Sequence, residues 1–120
     1  MVAPSLLIVA ALWQGAAAKA DTLPPLGVVE EALMVRHGTI ELAGTLAVPR
    51  TPAVRIPVAL IIAGSGPTDR NGNSPMGLRS NVYAQLAWRL AERGIASLRY
   101  DKRGLGGSRG STFDMRQVTI

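Results

Sequence analysis

Residues 58–73 read Val-Ala-Leu-Ile-Ile-Ala-Gly-Ser-Gly-Pro-Thr-Asp-Arg-Asn-Gly-Asn, an unbroken apolar run that stops abruptly in a glycine-rich polar loop. An apolar run of this kind is typical of a strand that is buried on both faces, as in the middle of a parallel sheet. Parallel sheets place their chemistry in the loops that leave the carboxyl ends of their strands. The loop that begins at Gly64 is therefore the first candidate for a functional site.

The sequence around this run predicts a hairpin before it and a strand–helix–strand unit that includes it. Apolar residues occupy alternate positions from 40 to 48, as in an antiparallel strand, and recur every four residues from 82 to 90, as in a helix. Ser80 is a suitable N-cap and Gly94 a suitable C′ residue for that helix. The predicted elements are hairpin arms at 32–36 and 39–48 with a turn at His37-Gly38, a strand at 57–63, a helix at 80–93 and a strand at 95–100. A strand, a helix and a strand in succession form a βαβ unit, which implies a parallel pair of strands.

The composition excludes several classes of function. The 120 residues allow one small domain, and the absence of cysteine excludes disulfides, thiolate metal sites and a cysteine nucleophile. The net charge is +5, but the eleven arginines are scattered and only five residues are aromatic. A nucleic-acid interface needs a clustered basic stripe or a stacking platform. We therefore expect no nucleic-acid partner.

The N-terminus has the layout of a secretory signal peptide. Residues 6–12 form a short apolar core that is too short to span a bilayer, and residues 16–20 offer small-residue cleavage sites. No Lys or Arg precedes the apolar core, so a buried N-terminal helix or a misassigned start is the alternative. We expect residues 1–20 to be a signal peptide and residues 21–27, which contain two consecutive prolines, to be a linker. A mature chain of this kind would be periplasmic or secreted and would have no stable membrane anchor.

The polar loop resembles several ligand-binding motifs only in part. Residues 69–73 place oxygen ligands at alternate positions, as a calcium loop does, but Ser74 stands where that loop needs Gly and Ser80 where it needs Glu. A dinucleotide fingerprint would need a third glycine where Asp69 stands, and a phosphate-binding Gly-Lys-Ser/Thr sequence is absent. The sequence therefore predicts no metal and no cofactor.

Two segments carry a resemblance to a known family. Residues 63–73 (Ala-Gly-Ser-Gly-Pro-Thr-Asp-Arg-Asn-Gly-Asn) and residues 94–108 (Gly-Ile-Ala-Ser-Leu-Arg-Tyr-Asp-Lys-Arg-Gly-Leu-Gly-Gly-Ser) flank the predicted helix, which contains Leu-Ala-Trp-Arg-Leu-Ala. Together they resemble the amino-terminal part of secreted bacterial α/β-hydrolases, in the esterase and serine-aminopeptidase-like branch. The resemblance extends from about residue 28 to residue 113. It implies the first strands of an α/β-hydrolase fold, that is, a β-hairpin followed by a βαβ unit of a mostly parallel sheet.

The resemblance also implies roles for the two loops. Gly64-Ser65-Gly66 would be the oxyanion loop, with backbone N–H groups at Ser65 and Gly66 that stabilise a developing oxyanion. A purely structural strand-to-loop turn is the alternative reading of the same three residues. Asp101, Arg103 and Gly104 match the family's next loop and would support the first, with an Asp–Arg pair that sets its geometry. Asp69 and Arg70 belong to the family string and would also be supporting residues.

The nucleophile of that family is not found in this sequence. Residues 106–110 (Gly-Gly-Ser-Arg-Gly) match the Gly-x-Ser-x-Gly elbow literally, but an elbow directly follows a buried strand and begins a helix. Ser108 does neither, and we reject it as the nucleophile. The only histidine, His37, lies upstream in a predicted turn, whereas a triad histidine follows the serine in this family.

These observations predict an incomplete α/β-hydrolase domain at residues 28–120 that ends before the nucleophile. The expected function is serine hydrolysis of carboxylic esters or small amides, to which this chain contributes the oxyanion loop and its scaffold but no activity of its own. The family's strand order would also leave the strand at 57–63 as an apolar, unpaired edge. The alternative is a non-catalytic periplasmic binding or interaction domain.

Overall fold

The computed structural model describes residues 22–110, which form one four-stranded sheet and one helix. The predicted signal peptide and residues 111–120 lie outside the described residues. The strands stand in the order β1-β2-β4-β3 across the sheet. The elements are β1 (Val28–His37), β2 (Ile40–Pro49), β3 (Val58–Ile61), α1 (Val82–Glu92) and β4 (Ala96–Tyr100).

The prediction of a mostly parallel α/β-hydrolase sheet is wrong. β2 pairs antiparallel with both β1 and β4, and only β3 and β4 run parallel. The parallel pair is short, since it joins four residues of each strand, whereas the hairpin arms have 10 residues each. The apolar run at 58–63 indicated parallel pairing for the whole sheet. In the structure, the long antiparallel hairpin supplies most of the pairing. The result is a small mixed sheet with a single helix.

The hairpin is longer than its sequence pattern predicted and turns one residue later. His37 faces Ile40 across the last pair of the ladder, so the turn consists of Gly38 and Thr39 rather than His37 and Gly38. Gly38 has a φ of 58°, and a glycine with positive φ at the first position of a two-residue loop matches the right-handed twist of the strands.

The helix packs on one face of the sheet through small residues. Its buried face consists of Ala84, Ala87, Trp88 and Ala91, which lie against Val28, Ala47 and Ile61 of the strands. Alanines at these positions let the helix approach the sheet closely, and Trp88 supplies the large apolar surface. The hydrophobic core of the described chain is therefore confined to this single layer between helix and sheet.

The N-terminal end of the helix differs slightly from its predicted position, whereas the C-terminal end agrees with it. The N-cap is Asn81, which has a φ of 51°, instead of Ser80. At the other end Gly94 has a φ of 80°, and its N–H donates to the carbonyl of Ala91 while the N–H of Ile95 donates to that of Leu90. This pair of bonds is a Schellman motif, so the C′ role predicted for Gly94 is confirmed.

The opposite face of the sheet is apolar and uncovered at the β3 edge. Ile61 is buried under the helix, so its neighbours along the alternating strand point the other way. On that side Val58, Leu60 and Ile62 are 67%, 56% and 63% exposed. The prediction that this strand is buried on both faces is wrong, because one face is exposed. The apolar, unpaired edge predicted for residues 57–63 is confirmed among the described residues, since β3 is the last strand of the sheet. Leu33 and Leu98 lie on the same side of the sheet, since a Cβ built at Gly44 would lie 3.2 Å from the side chain of Leu33 and 3.3 Å from that of Leu98.

The segment predicted as a linker is tied to the sheet where the structure describes it. The N–H of Val28 donates to the carbonyl of Pro25, and Arg50 donates from its backbone N–H to Gly27 and from its Nε to Leu26. Across residues 22–110, no helix has the length and apolar character needed to cross a membrane.

Candidate functional site

Two loops leave the carboxyl ends of the parallel strands and meet at one edge of the sheet. The β3 loop comprises residues 62–81, and the β4 loop comprises residues 101–110. Because β3 and β4 run parallel and adjacent, their carboxyl ends point in the same direction. The predicted site residues all belong to these two loops.

Asp101 joins the two loops. Its carboxylate is 3% exposed, and it accepts the N–H of Arg70 at 2.8 Å and the N–H of Gly107 at 2.9 Å. The Nε of Arg70 lies 3.8 Å from the same carboxylate. The predicted pair of Asp101 with Arg103 is not formed, because Arg70 takes that place and Arg103 is exposed. Gly104, with a φ of 76°, is also exposed and does not contact the β3 loop through any hydrogen bond that the described residues show.

The tight fit around Asp101 requires glycine on the β4 loop. A Cβ at Gly106 would collide with the carboxylate of Asp101, and one at Gly107 would lie 2.8 Å from the side chain of Ala43. Gly106 also has a φ of 51°, a region that side-chain-bearing residues rarely adopt. The glycines that imitate a nucleophile elbow therefore serve to pack the loop around a buried carboxylate.

Ser108 has a structural position. It is 6% exposed, its hydroxyl donates to the backbone carbonyl of Asp101 at 2.5 Å, and it accepts the N–H of Ala43 at 3.0 Å. Beside it, Arg109 and Glu41 exchange two backbone hydrogen bonds. The hydroxyl of Ser108 is thus committed to fastening the β4 loop to β2. His37 lies exposed beside the hairpin turn, and no bond between a serine and a histidine occurs within residues 22–110.

The segment that imitates a calcium loop is closed by its own hydrogen bonds. Asp69 Oδ1 accepts the N–H groups of Asn71 and Asn73 at 2.8 and 2.9 Å, and the N–H of Asp69 donates to the carbonyl of Asn73. Asn71 Oδ1 accepts from Arg99, and Asn73 Oδ1 accepts from the N–H of Asn81. The chain from Thr22 to Gly110 has no group of three or more His, Asp or Glu side chains that could hold a metal ion. Asp69 therefore stabilises the turn, and the next residue, Arg70, donates its N–H to Asp101.

A buried polar cluster that the sequence analysis missed anchors the β3 loop and the helix to the sheet. Arg99 is 2% exposed, and its Nη2 lies 2.6 Å from Glu30 Oε1, which also accepts Trp88 Nε1 at 2.6 Å. The Nε of Arg99 reaches Asn71 at 3.1 Å, so one side chain joins β1, β4 and the loop. Arg99 Nη1 and the hydroxyl of the neighbouring Ser97 are buried without a partner among the described residues. The alternation of residues along β4 could have predicted this cluster, because it places Ser97 and Arg99 on the face of the sheet that the helix covers.

The predicted oxyanion loop lies exposed at the tip of the site. Gly64, Ser65 and Gly66 are all exposed, and Gly66 has a φ of 89°. Lys102 Nζ binds the carbonyl of Gly64 at 2.6 Å and that of Gly66 at 2.5 Å. The N–H of Gly64 lies 3.5 Å from the hydroxyl of Tyr83, at the outer limit of a hydrogen bond. Within the described part of the chain, the amides of Ser65 and Gly66 donate to no group.

The site is an open loop surface. A shallow depression on the protein is lined by Pro25, Gln85, Trp88 and Arg89, and it includes none of the loop tip. What the tip offers chemically is two unpaired backbone donors beside one ammonium group. Lys102, which supplies that ammonium, was not among the predicted site residues.

Comparison with known proteins does not identify the chain, because no protein-family model and no curated protein matches it. The resemblance to secreted hydrolases therefore stays a prediction of the sequence.

Replacing Ser108 by Ala should destabilise the protein. The substitution leaves the buried N–H of Ala43 without its acceptor, which costs about 1–3 kcal/mol. Ser65→Ala is the matched control, since that serine is exposed, and it should change the free energy of unfolding by less than about 0.5 kcal/mol. Urea unfolding of both variants measures the difference, and equal small effects would show that the Ser108 hydroxyl does not fasten the loop.

Proposed function

We propose that the chain contributes an oxyanion-binding loop to a serine hydrolase that acts on carboxylic esters or small amides. The observation that supports the proposal is the exposure of the backbone amides at the loop tip, residues 64–66. The amides of Ser65 and Gly66 are exposed and bonded to no described group, while the neighbouring carbonyls are turned toward Lys102.

The peptide geometry gives the Ser65 amide a definite direction. In a trans peptide the C=O and the N–H of one plane point in opposite directions. The carbonyl of Gly64 points to Lys102, so the N–H of Ser65, in the same plane, points away from it. The φ of Gly66 is positive whereas that of Ser65 is not, and a change in the sign of φ between successive residues is one requirement of the backbone nests that bind anions.

Exposed backbone amides without a partner suit the transition state of acyl transfer. When a nucleophile attacks an ester carbonyl, negative charge develops on the carbonyl oxygen, and preorganised N–H groups stabilise it. One such donor is worth about 10²–10³ in kcat in enzymes where it has been removed. The backbone of the loop can supply this stabilisation without a side chain.

The proposal assigns the serine nucleophile and its base to residues outside this sequence. Ser108 donates to and accepts from backbone groups, and no hydrogen bond joins His37 to a serine within residues 22–110. The chain alone should therefore show no turnover of p-nitrophenyl acetate. Export to the periplasm, which residues 1–20 predict, is part of the same proposal.

Titration with acetate followed by amide NMR tests the oxyanion loop. The carboxylate stands in for the oxyanion, and we expect saturable downfield shifts of the Ser65 and Gly66 amide protons with millimolar affinity. Gly104 is the internal control, since its amide is also unbonded among the described residues and its φ is also positive. Shifts at Gly104 as large as those at Ser65 would indicate nonspecific attraction of the anion and would remove the support for this function.

A non-catalytic interaction domain is a second candidate, favoured by the β3 edge. β3 lies at the end of the sheet, and it presents three exposed apolar side chains, Val58, Leu60 and Ile62, along one face. The sequence from Ile56 to Thr68 has no charged residue, so the edge lacks the lysines that usually protect such strands. An extended, uncharged strand, including the same strand of a second copy, could pair there without charge repulsion.

Sedimentation velocity over a range of concentrations tests this second candidate. The weight-average sedimentation coefficient of the wild type should rise with concentration. Leu60→Lys should weaken association by about 10-fold or more, since it places a charge in the apolar face of β3. Val54→Lys is the matched control, because Val54 is exposed and outside every strand. A wild type that stays monomeric throughout would eliminate self-association through β3.

A further inference from the structure

We propose that Lys102 is the positioning residue of the loop tip. Its ammonium group holds the carbonyls of Gly64 and Gly66 and so keeps the Ser65 amide directed outward and free to donate. The inference rests on the proposed function, because it assigns to a side chain the geometry that oxyanion binding would need.

The contacts of Lys102 are short and charge-assisted. An ammonium has three donors, and two of them reach the carbonyls of Gly64 and Gly66 at 2.6 and 2.5 Å. Hydrogen bonds from a charged donor are shorter and roughly twice as strong as neutral ones. One side chain therefore clamps two carbonyls that are two residues apart, and this fixes the peptide plane between Gly64 and Ser65.

The base of Lys102 is itself well fixed. It follows Asp101, whose N–H donates to the carbonyl of Ala43 at 2.9 Å and whose carboxylate is buried among loop amides. The carbonyl of Lys102 accepts the N–H of Leu105 at 3.0 Å. The clamp thus extends from the end of a paired strand, which fixes the position of the Lys102 backbone.

Packing does not hold the tip in place. A Cβ built at Gly64 or at Gly66 would meet no atom within 4 Å, so neither residue is confined by its neighbours. The remaining described contact of the tip is the long one between the Gly64 N–H and Tyr83. Glycine backbones are the least restricted in the chain. Without the ammonium, the tip would sample many orientations of the Ser65 amide.

The test compares Lys102→Met with Lys102→Arg and with Arg103→Met. The Met variant removes the clamp, the Arg variant keeps a charged donor with several N–H groups, and Arg103→Met removes the same charge from an exposed neighbour. The two readouts are the ¹⁵N order parameters of Gly64, Ser65 and Gly66, and the acetate affinity at the Ser65 amide.

In Lys102→Met we expect the order parameters of the tip to fall from about 0.85 to below about 0.6, and acetate binding to weaken by about 10-fold or more. Lys102→Arg should restore both readouts, and Arg103→Met should leave the order parameters unchanged and acetate affinity within about 3-fold. The dispersion of the remaining amide resonances shows whether a variant is folded. If the Met variant is not, Lys102→Gln carries the same test with the same expected direction.

The outcomes separate the inference from the function on which it rests. Unchanged order parameters and unchanged acetate affinity in Lys102→Met would overturn the positioning role, while wild-type acetate binding at Ser65 would still support the oxyanion loop. A wild type that binds no acetate would overturn the proposed function. In that case the order parameters still decide whether Lys102 holds the tip.

Discussion

The buried carboxylate of Asp101 is the interaction on which the arrangement of both loops depends. A carboxylate removed from water is costly unless hydrogen-bond donors surround it. The β3 loop supplies the N–H of Arg70 and the β4 loop that of Gly107, so each loop satisfies the same group. The hydroxyl of Ser108 then binds the backbone carbonyl of Asp101 and fastens this pair of loops to β2. Because Lys102 directly follows Asp101 in the chain, the position of the clamp on the loop tip follows from this same buried group.

Local sequence signals predicted the elements but not the way they assemble. The alternation through β2 and the four-residue period of α1 depend on near neighbours in the chain, and both elements occur close to their predicted bounds. Strand order and direction depend on distant pairing, and there the prediction of a mostly parallel sheet failed. The apolar run at β3 was compatible with a central strand and with an edge strand. An apolar side chain is buried only where another layer of the protein packs on its face, and the sequence pattern of one strand does not show whether that layer is present. In the described chain, that layer covers only the face with Ile61.

The sequence likewise predicted where the site lies but not which residues contact one another in it. The position of Gly64 to Gly66 at the end of a strand followed from the glycine-rich break in an apolar run. The partner of Asp101 did not, because Arg103 is its near neighbour in sequence whereas the residue that approaches it, Arg70, lies 31 positions away. Lys102 was missed for the same reason, since its two carbonyl partners belong to a loop almost forty residues earlier. Contacts that cross from one loop to another are consequences of the parallel pairing of β3 and β4, and they become visible only once that pairing is known.

Native-state hydrogen exchange on Asp101→Ala tests most directly whether one carboxylate holds both loops. In the wild type the amides of Arg70 and Gly107 should be protected, because both donate to Asp101. The side chain of alanine offers no acceptor to either donor. The account expects both amides to lose protection together by about 10-fold or more, although the residues belong to different loops. Loss of protection at only one of them, or at neither, would show that the loops are held independently and would contradict the account.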